Sequence, residues 1–201
     1  MTIKTVTELV QNRADSHGDR RIYTFLKDGE QEAGHLTLAD IEHQSRAIAA
    51  RLQETTSTGD RVLLMYAPGL DFITGFLGCL YAGTVAVPAY APNPTRPERY
   101  MPRLSAISAN AATRVILTSS DQASRLKPLL CEFEVFRSAR VINTDQVDVS
   151  GADDWKPVPA QADTLALLHA QLLRANAREA TGEPEEIGAY LEQDELKQVN
   201  V

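Results

Sequence analysis

"GDRVLLMYAPGLDFITGFLGCLYAGTVAVPAY", residues 59–90, decides the fold. After the single Arg61, residues 62–67 form an unbroken apolar run, the pattern of a strand covered on both faces in a parallel sheet. Pro68 and Gly69 turn the chain, and residues 71–82 predict a helix. The valine-rich residues 84–90 predict the next strand. Strand, helix and strand in roughly thirty residues make one crossover unit of a parallel sheet.

The alternation continues on both sides. Upstream, Thr5 is placed to cap a short helix carrying Val6, Leu9 and Val10 on one face. "RIYTFL" (21–26) predicts a strand, and Asp28-Gly29 predicts a hairpin turn into a second one. Thr37 with Asp40 forms a capping box for a helix whose Ile41, Ser45, Ile48 and Leu52 recur at helical spacing. Downstream, residues 96–114 predict a helix started or interrupted near Pro102. Then come strand 115–120, helix 121–134 and strand 139–145. A polar loop, 147–163, leads to "TLALL" (164–168), which reads as a strand or a helix start. The expected fold is α/β, a layered parallel sheet with helices on its faces. The tail from His169 is helix-prone, with Leu165, Leu168, Leu172 and Asn176 on one stripe. From residue 181 it holds six acidic residues against one lysine. Two parts follow: 1–168, and a divergent, helical, acidic tail over 169–201.

Composition narrows the function classes. The 201 residues carry a net charge of −7, with a pI near 5.1. The arginines are scattered among acidic residues, which argues against nucleic acid as a partner. The longest apolar stretch is interrupted by Gly75, Gly78 and Gly83 and is too short for a membrane span. The first twenty residues lack the apolar core of a signal peptide, so a cytoplasmic protein is expected. Cys79 and Cys131 are both flanked by leucine and sit in no metal-ligand spacing; buried free thiols are expected.

Residues that could carry chemistry were weighed one group at a time. Gly75 and Gly78 fall inside the predicted helix, where small residues let it approach a sheet or another helix closely. Only Gly69, at the helix entrance, is placed to meet an anion. "VPAYAPNPTRPERY" (87–100) follows a parallel strand, at the edge where ligands of open α/β sheets gather. Its prolines at 88, 92, 94 and 97 stiffen it. Arg96 and Arg99 either hold a carboxylate or phosphate there or cap a neighbouring helix. His17, His35, His43 and His169 have no nucleophile or metal partner at a recognisable spacing and read as surface residues. Ser119 or Ser120 reads as a helix cap, and Trp155 as the anchor of its long loop. No catalytic, cofactor-binding or metal residue is assigned.

Taken together, the "GD-R-V-L-L" strand, the "PGLDF" helix start, "GCLYAG", and "VAVPAYAPNPTR" with its following arginine-rich helix closely resemble the N-terminal region of fatty acyl-AMP ligases. These belong to the adenylate-forming superfamily. "RADSHGDRRIYTFLKDGE" and "LTLADIEHQSRAIAARLQ" fit the start of that region, and "DDWKPVPAQADTLALL" fits the stretch before its nucleotide loop. The resemblance runs from about Thr5 to Leu168 and implies part of the large N-terminal domain, incomplete by itself. For the intact enzyme it implies ATP and Mg as cofactors, a fatty acid substrate, and transfer of the acyl group to an acyl carrier protein.

After Leu168 the resemblance stops. Where the family continues into a Ser/Thr/Gly-rich loop bearing a lysine, this sequence reads "HAQLLRANAREATGEPEE". The family's aromatic-Gly-Thr-Glu segment, ribose-binding Asp and C-terminal catalytic Lys have no counterpart either. A reading-frame shift or truncation after Leu168 is preferred over a short paralogue with its own terminal helix. The expectation is therefore a ligase fragment inactive alone, with a non-catalytic interaction protein on the same fold as the alternative. An unrelated nucleotide-binding α/β protein is disfavoured by the missing phosphate loop.

Overall fold

The computed structural model describes residues 5–93, 95–161, 163–169 and 197–200. Helix α1 (Val6–His17) starts at Thr5, whose hydroxyl accepts the Glu8 amide at 3.2 Å. Strands β1 (Arg21–Lys27) and β2 (Gln31–Thr37) form an antiparallel hairpin. Asp28 and Gly29 turn it with φ of 53° and 79°, the left-handed pair that matches hairpin twist. Helix α2 (Leu38–Gln53) opens with the expected capping box. Thr37 Oγ1 accepts the Asp40 amide at 3.1 Å, and Asp40 Oδ2 accepts the Thr37 amide at 2.9 Å. The Thr37 amide and hydroxyl hold the Asp40 carboxyl below the usual carboxylate range. Such a cap contributes about 1 kcal/mol.

The alternating part follows: β3 (Arg61–Leu64), α3 (Asp71–Ala82), β4 (Val85–Pro88), α4 (Pro97–Ala111), β5 (Val115–Thr118), α5 (Ser120–Glu132), a short α6 (Glu134–Arg137) and β6 (Arg140–Asn143). Two 3-10 turns, Thr144–Gln146 and Val149–Asp154, lead to β7 (Leu165–His169), and β8 (Lys197–Asn200) comes last. The sheet order is β6-β5-β3-β4-β7-β8. The first five of these strands are mutually parallel, and β8 runs antiparallel to β7. Helix α4 starts at Pro97 and runs through Pro102, whose missing N–H forfeits only the bond to the carbonyl one turn back. "TLALL" resolves as strand.

Successive residues of each strand feed two separate cores. Val62, Leu64, Ala86, Val115 and Leu117 meet α2 and α3 through Ile41, Ile48, Leu52 and Leu77. Leu63, Met65, Val85, Val87 and Ile116 meet the other helices through Met101, Leu104, Leu126 and Phe136. The result is a helix–sheet–helix sandwich.

Gly75 and Gly78 do what their spacing predicts. A Cβ on Gly75 would lie 2.3 Å from Tyr66 Oη, and one on Gly78 would lie 2.6 Å from Ile48 Cγ2. Helix α3 is thus pressed onto the end of β3 and onto α2 where it has no side chains. Gly83 ends α3 in the left-handed region (φ 72°), where its amide reaches the Cys79 and Leu80 carbonyls.

Two expectations shift. Cys79 is buried, and burial pushes its thiol up to about 12. Cys131 is exposed: Leu126, Leu129 and Leu130 take the inward face of α5, and the next residue rotates outward. Of the tail expected to be helical, residues 170–196 lie outside the described residues. At its described ends the tail is extended, because His169 closes β7 and Lys197–Asn200 pairs with β7's free side.

Gly78→Ala is expected to destabilise the chain by about 1–3 kcal/mol through overpacking against Ile48. Adding Ile48→Ala to Gly78→Ala should cost less than the two single changes summed. Urea unfolding of the full double-mutant cycle checks this; simple additivity would refute the close approach.

Candidate functional site: the carboxyl edge of the sheet

Because β3, β4, β5, β6 and β7 are parallel, their carboxyl ends share one side of the sheet. β5 and β6 end there in Thr118 and Asn143, and the chain leaving β3 reaches Tyr66 two residues on. Thr118 Oγ1 donates to the Met65 carbonyl at 2.5 Å, which ties β5 to β3 beyond the last paired residue. Tyr66 Oη donates to Thr144 Oγ1 at 3.1 Å, and Thr144 Oγ1 donates to the Thr118 carbonyl at 3.4 Å. All three side chains are buried, so the hydroxyls satisfy one another in place of water. Burial raises the Tyr66 phenol far above its ordinary value, making it a permanent donor here. Around its ring, Phe72 stands edge-on at 6.3 Å and Phe76 stacks on Phe72 at 6.1 Å.

Two carboxylates sit at the same edge. Asp145 accepts the Ser120 amide at 2.8 Å and the Ser120 hydroxyl, joining the start of α5 to the segment after β6. Asp71 opens α3; desolvation first, and the charge of Asp145 second, push its carboxyl above the usual range. Ser119, not Ser120, caps α5, accepting the Gln122 amide at 3.4 Å.

The proline loop leaves β4 at the same edge. The Ala89 amide still reaches the Leu64 carbonyl at 2.9 Å, Pro92 is buried, and Tyr90 stands out at 84% exposure. Pro94 lies outside the described residues. Arg96 holds the N-cap position of α4 without a side-chain cap bond. The exposed Arg99 lays its guanidinium 5.9 Å from the Tyr100 ring. The loop therefore borders the edge. Gly69 lies between β3 and α3, and no side-chain cap occupies the helix start beside it.

His17 and His43 are exposed, His35 Nδ1 pairs with Glu32 Oε1 at 3.0 Å on the hairpin, and the backbone of His169 ends β7. His17, His35 and His43 stand outside the edge network described above. Among the described residues no cluster of His, Cys, Asp or Glu could hold a metal ion, and no helix is long and apolar enough to cross a membrane. Trp155 anchors its loop as expected. Its Nε1 donates to the Tyr81 carbonyl at 2.8 Å, its ring meets Tyr81 edge-on at 5.3 Å, and Arg46 lies 5.6 Å from its centre. Sequence reading missed the Tyr66–Thr144–Thr118 chain; the signal was the polar residue closing each apolar run.

A parallel sheet crossed by helices on both faces is the framework of an open α/β domain. Residues 10–187 match the AMP-binding enzyme family, and the chain belongs to it. Within that family, relatives of this chain include ligases of fatty acids. It is 38% identical over 165 residues to the medium-chain-fatty-acid–[acyl-carrier-protein] ligase JamA of Moorena producens, covering 82% of this chain and 28% of JamA. It is 32% identical over 176 residues to the long-chain-fatty-acid–AMP ligase FadD32 of Mycolicibacterium smegmatis, covering 86% and 27%. The crystal structure of the Legionella pneumophila fatty acyl-adenylate ligase, in complex with acyl adenylate and pyrophosphate, superposes with a TM-score of 0.72 at 30% identity. That match covers 83% of this chain and 28% of that one. The chain thus corresponds to the N-terminal part of such ligases and spans a little over a quarter of their length.

The raised Asp71 carboxyl has a signed consequence. Its charged form is disfavoured in the fold, so Asp71→Asn should raise stability at about pH 7, with the gain shrinking as pH falls through the carboxylate range toward about pH 3. Thermal melts across that range check it; a gain that does not depend on pH would contradict the assignment.

Proposed function

We propose that this chain is the N-terminal portion of a fatty acyl-AMP ligase. The intact enzyme uses ATP and Mg²⁺ to convert a fatty acid to its acyl-adenylate, releases pyrophosphate, and passes the acyl group to a carrier protein. The similarity of 38% and 32% to two fatty-acid ligases, over more than four-fifths of this chain, supports that reading most directly. In the proposal, the aromatic and hydroxyl-lined carboxyl edge and its proline loop form the floor and rim of the substrate cleft. The protein works in the cytoplasm and has no nucleic-acid partner.

In the same proposal, residues 1–168 are the partial ligase domain, 169–201 are the divergent tail, and the chain alone does not adenylate. Adenylation needs backbone amides and a cation gripping the triphosphate while charge builds at the α-phosphate. The hydroxyls of Thr118 and Thr144 and the phenol of Tyr66 are already committed to protein oxygens. The sequence after Leu168 supplies no Ser/Thr/Gly loop.

One observation favours a second reading, a non-catalytic interaction protein. Strand β8 pairs with β7 and covers one edge of the sheet within the chain. A stable complex with a carrier protein or a separately made ligase remainder would support it.

The purified 201-residue chain is expected to show no ATP–pyrophosphate exchange above background with medium- or long-chain fatty acids, and no saturable ATP binding by calorimetry. Exchange above background would refute the inactive reading. Sequencing the gene past the Leu168 codon in all three frames should recover a Ser/Thr/Gly-rich, lysine-bearing loop.

A further inference from the structure

β7 is an unusual strand on which to end a parallel sheet. Leu165-Ala166-Leu167-Leu168-His169 contains no Asp, Glu, Lys, Arg or Pro. An uncharged apolar strand with free N–H and C=O groups along one side is a template for another chain. On its inner side β7 meets β4 through one register pair, Ala86 with Leu167. On its outer side it meets β8 through four: Leu165 with Asn200, Leu167 with Val199, Leu168 with Gln198, and His169 with Lys197. The register slips between Leu165 and Leu167, an irregularity of the kind that twists an edge away from further pairing.

We propose that Lys197–Asn200 is an edge cap, which occupies the outer side of β7 in cis and keeps a second copy of this chain from adding its own edge strand there. The other end of the same sheet is β6, parallel to β7 and, among the described residues, unpaired on its outer side. Without β8, the β7 edge of one copy could take the β6 edge of the next in parallel. That contact is head-to-tail, so it leaves a free edge at each end and builds assemblies larger than a dimer, rings or open filaments. β8 is poorly suited to continue the series: it is four residues long, antiparallel and begins with lysine. The inference concerns self-association and stands apart from the adenylation reading.

The test compares the full chain with a form ending at residue 196, and with Val199→Pro and Gln198→Pro in the full chain. Adjacent residues of an antiparallel strand point their amides to opposite sides, so one of the two prolines must remove a ladder donor. Light scattering after size-exclusion chromatography should give a monomer for the full chain. For the shortened form and one proline variant it should give at least about a twofold rise in mean mass, with thioflavin T binding. Emission of Trp155, the sole tryptophan, reports whether the fold survives. If the shortened form unfolds, a synthetic peptide of residues 195–201 added in excess decides: restored Trp155 emission and a monomer support the cap, and no effect overturns it. A shortened form that stays monomeric with an unchanged melting temperature overturns it, as does a full chain that already assembles.

Discussion

Burial of β3 on both faces is the constraint from which the rest follows. Val62, Leu63, Leu64 and Met65 are each at most 1% exposed, and consecutive side chains of a strand point to opposite faces. Such a strand needs an apolar layer above and another below. One chain supplies both layers by sending helices across alternate faces between parallel strands. Parallel strands then bring every carboxyl end to the same edge. The position of the candidate site is thus a consequence of how an apolar run is covered, before any functional residue is considered.

Placing α3 over that strand required the loss of two side chains. With Tyr66 Oη 2.3 Å and Ile48 Cγ2 2.6 Å from where Cβ atoms would stand, the helix sits at a depth that alanine would not allow. That depth brings the Tyr81 carbonyl to Trp155 and lets Arg46 reach the Ala152 carbonyl at 3.0 Å. Gln53 adds a reciprocal pair with the Lys156 backbone at 2.8 and 3.0 Å. The loop between β6 and β7 is thereby strapped across α2, and it carries Thr144 and Asp145 to the carboxyl edge. Two glycines on one helix therefore reach the site through a loop some seventy residues away in sequence.

Local chemistry was legible in the sequence; long-range chemistry was not. The capping box of Thr37 and Asp40, the Asp28-Gly29 turn and the apolar runs each declare themselves within a few residues, because their partners are neighbours. The bond from Tyr66 to Thr144 spans 78 positions, and nothing in "LLMYAP" says which hydroxyl its phenol will meet. Arg96 and Arg99 could be placed on the loop but not oriented, since their settings depend on how α4 begins. Cys131 was misjudged because a leucine beside it says nothing about which way the next helical residue faces. The tail's helical spacing took no account of the unpaired side of β7, and at its described ends that pairing wins over local propensity.

The carboxyl edge shows how a pocket can have shape without phosphate chemistry. Its buried hydroxyls are oriented, but they are oriented toward carbonyls of the sheet, and each bond that fixes a strand end removes a donor from any ligand. Two of its charged groups are carboxylates, and desolvation together with the charge of Asp145 already holds Asp71 above the usual carboxylate range. A polyphosphate brought to this surface would add like charge to a site that disfavours the charge it has. Aromatic rings and a stiff proline loop suit an acyl chain far better than they suit a triphosphate. In the proposed reading the division of labour is spatial: this N-terminal part of the fold shapes the cleft, and the anion-gripping groups come from chain that follows.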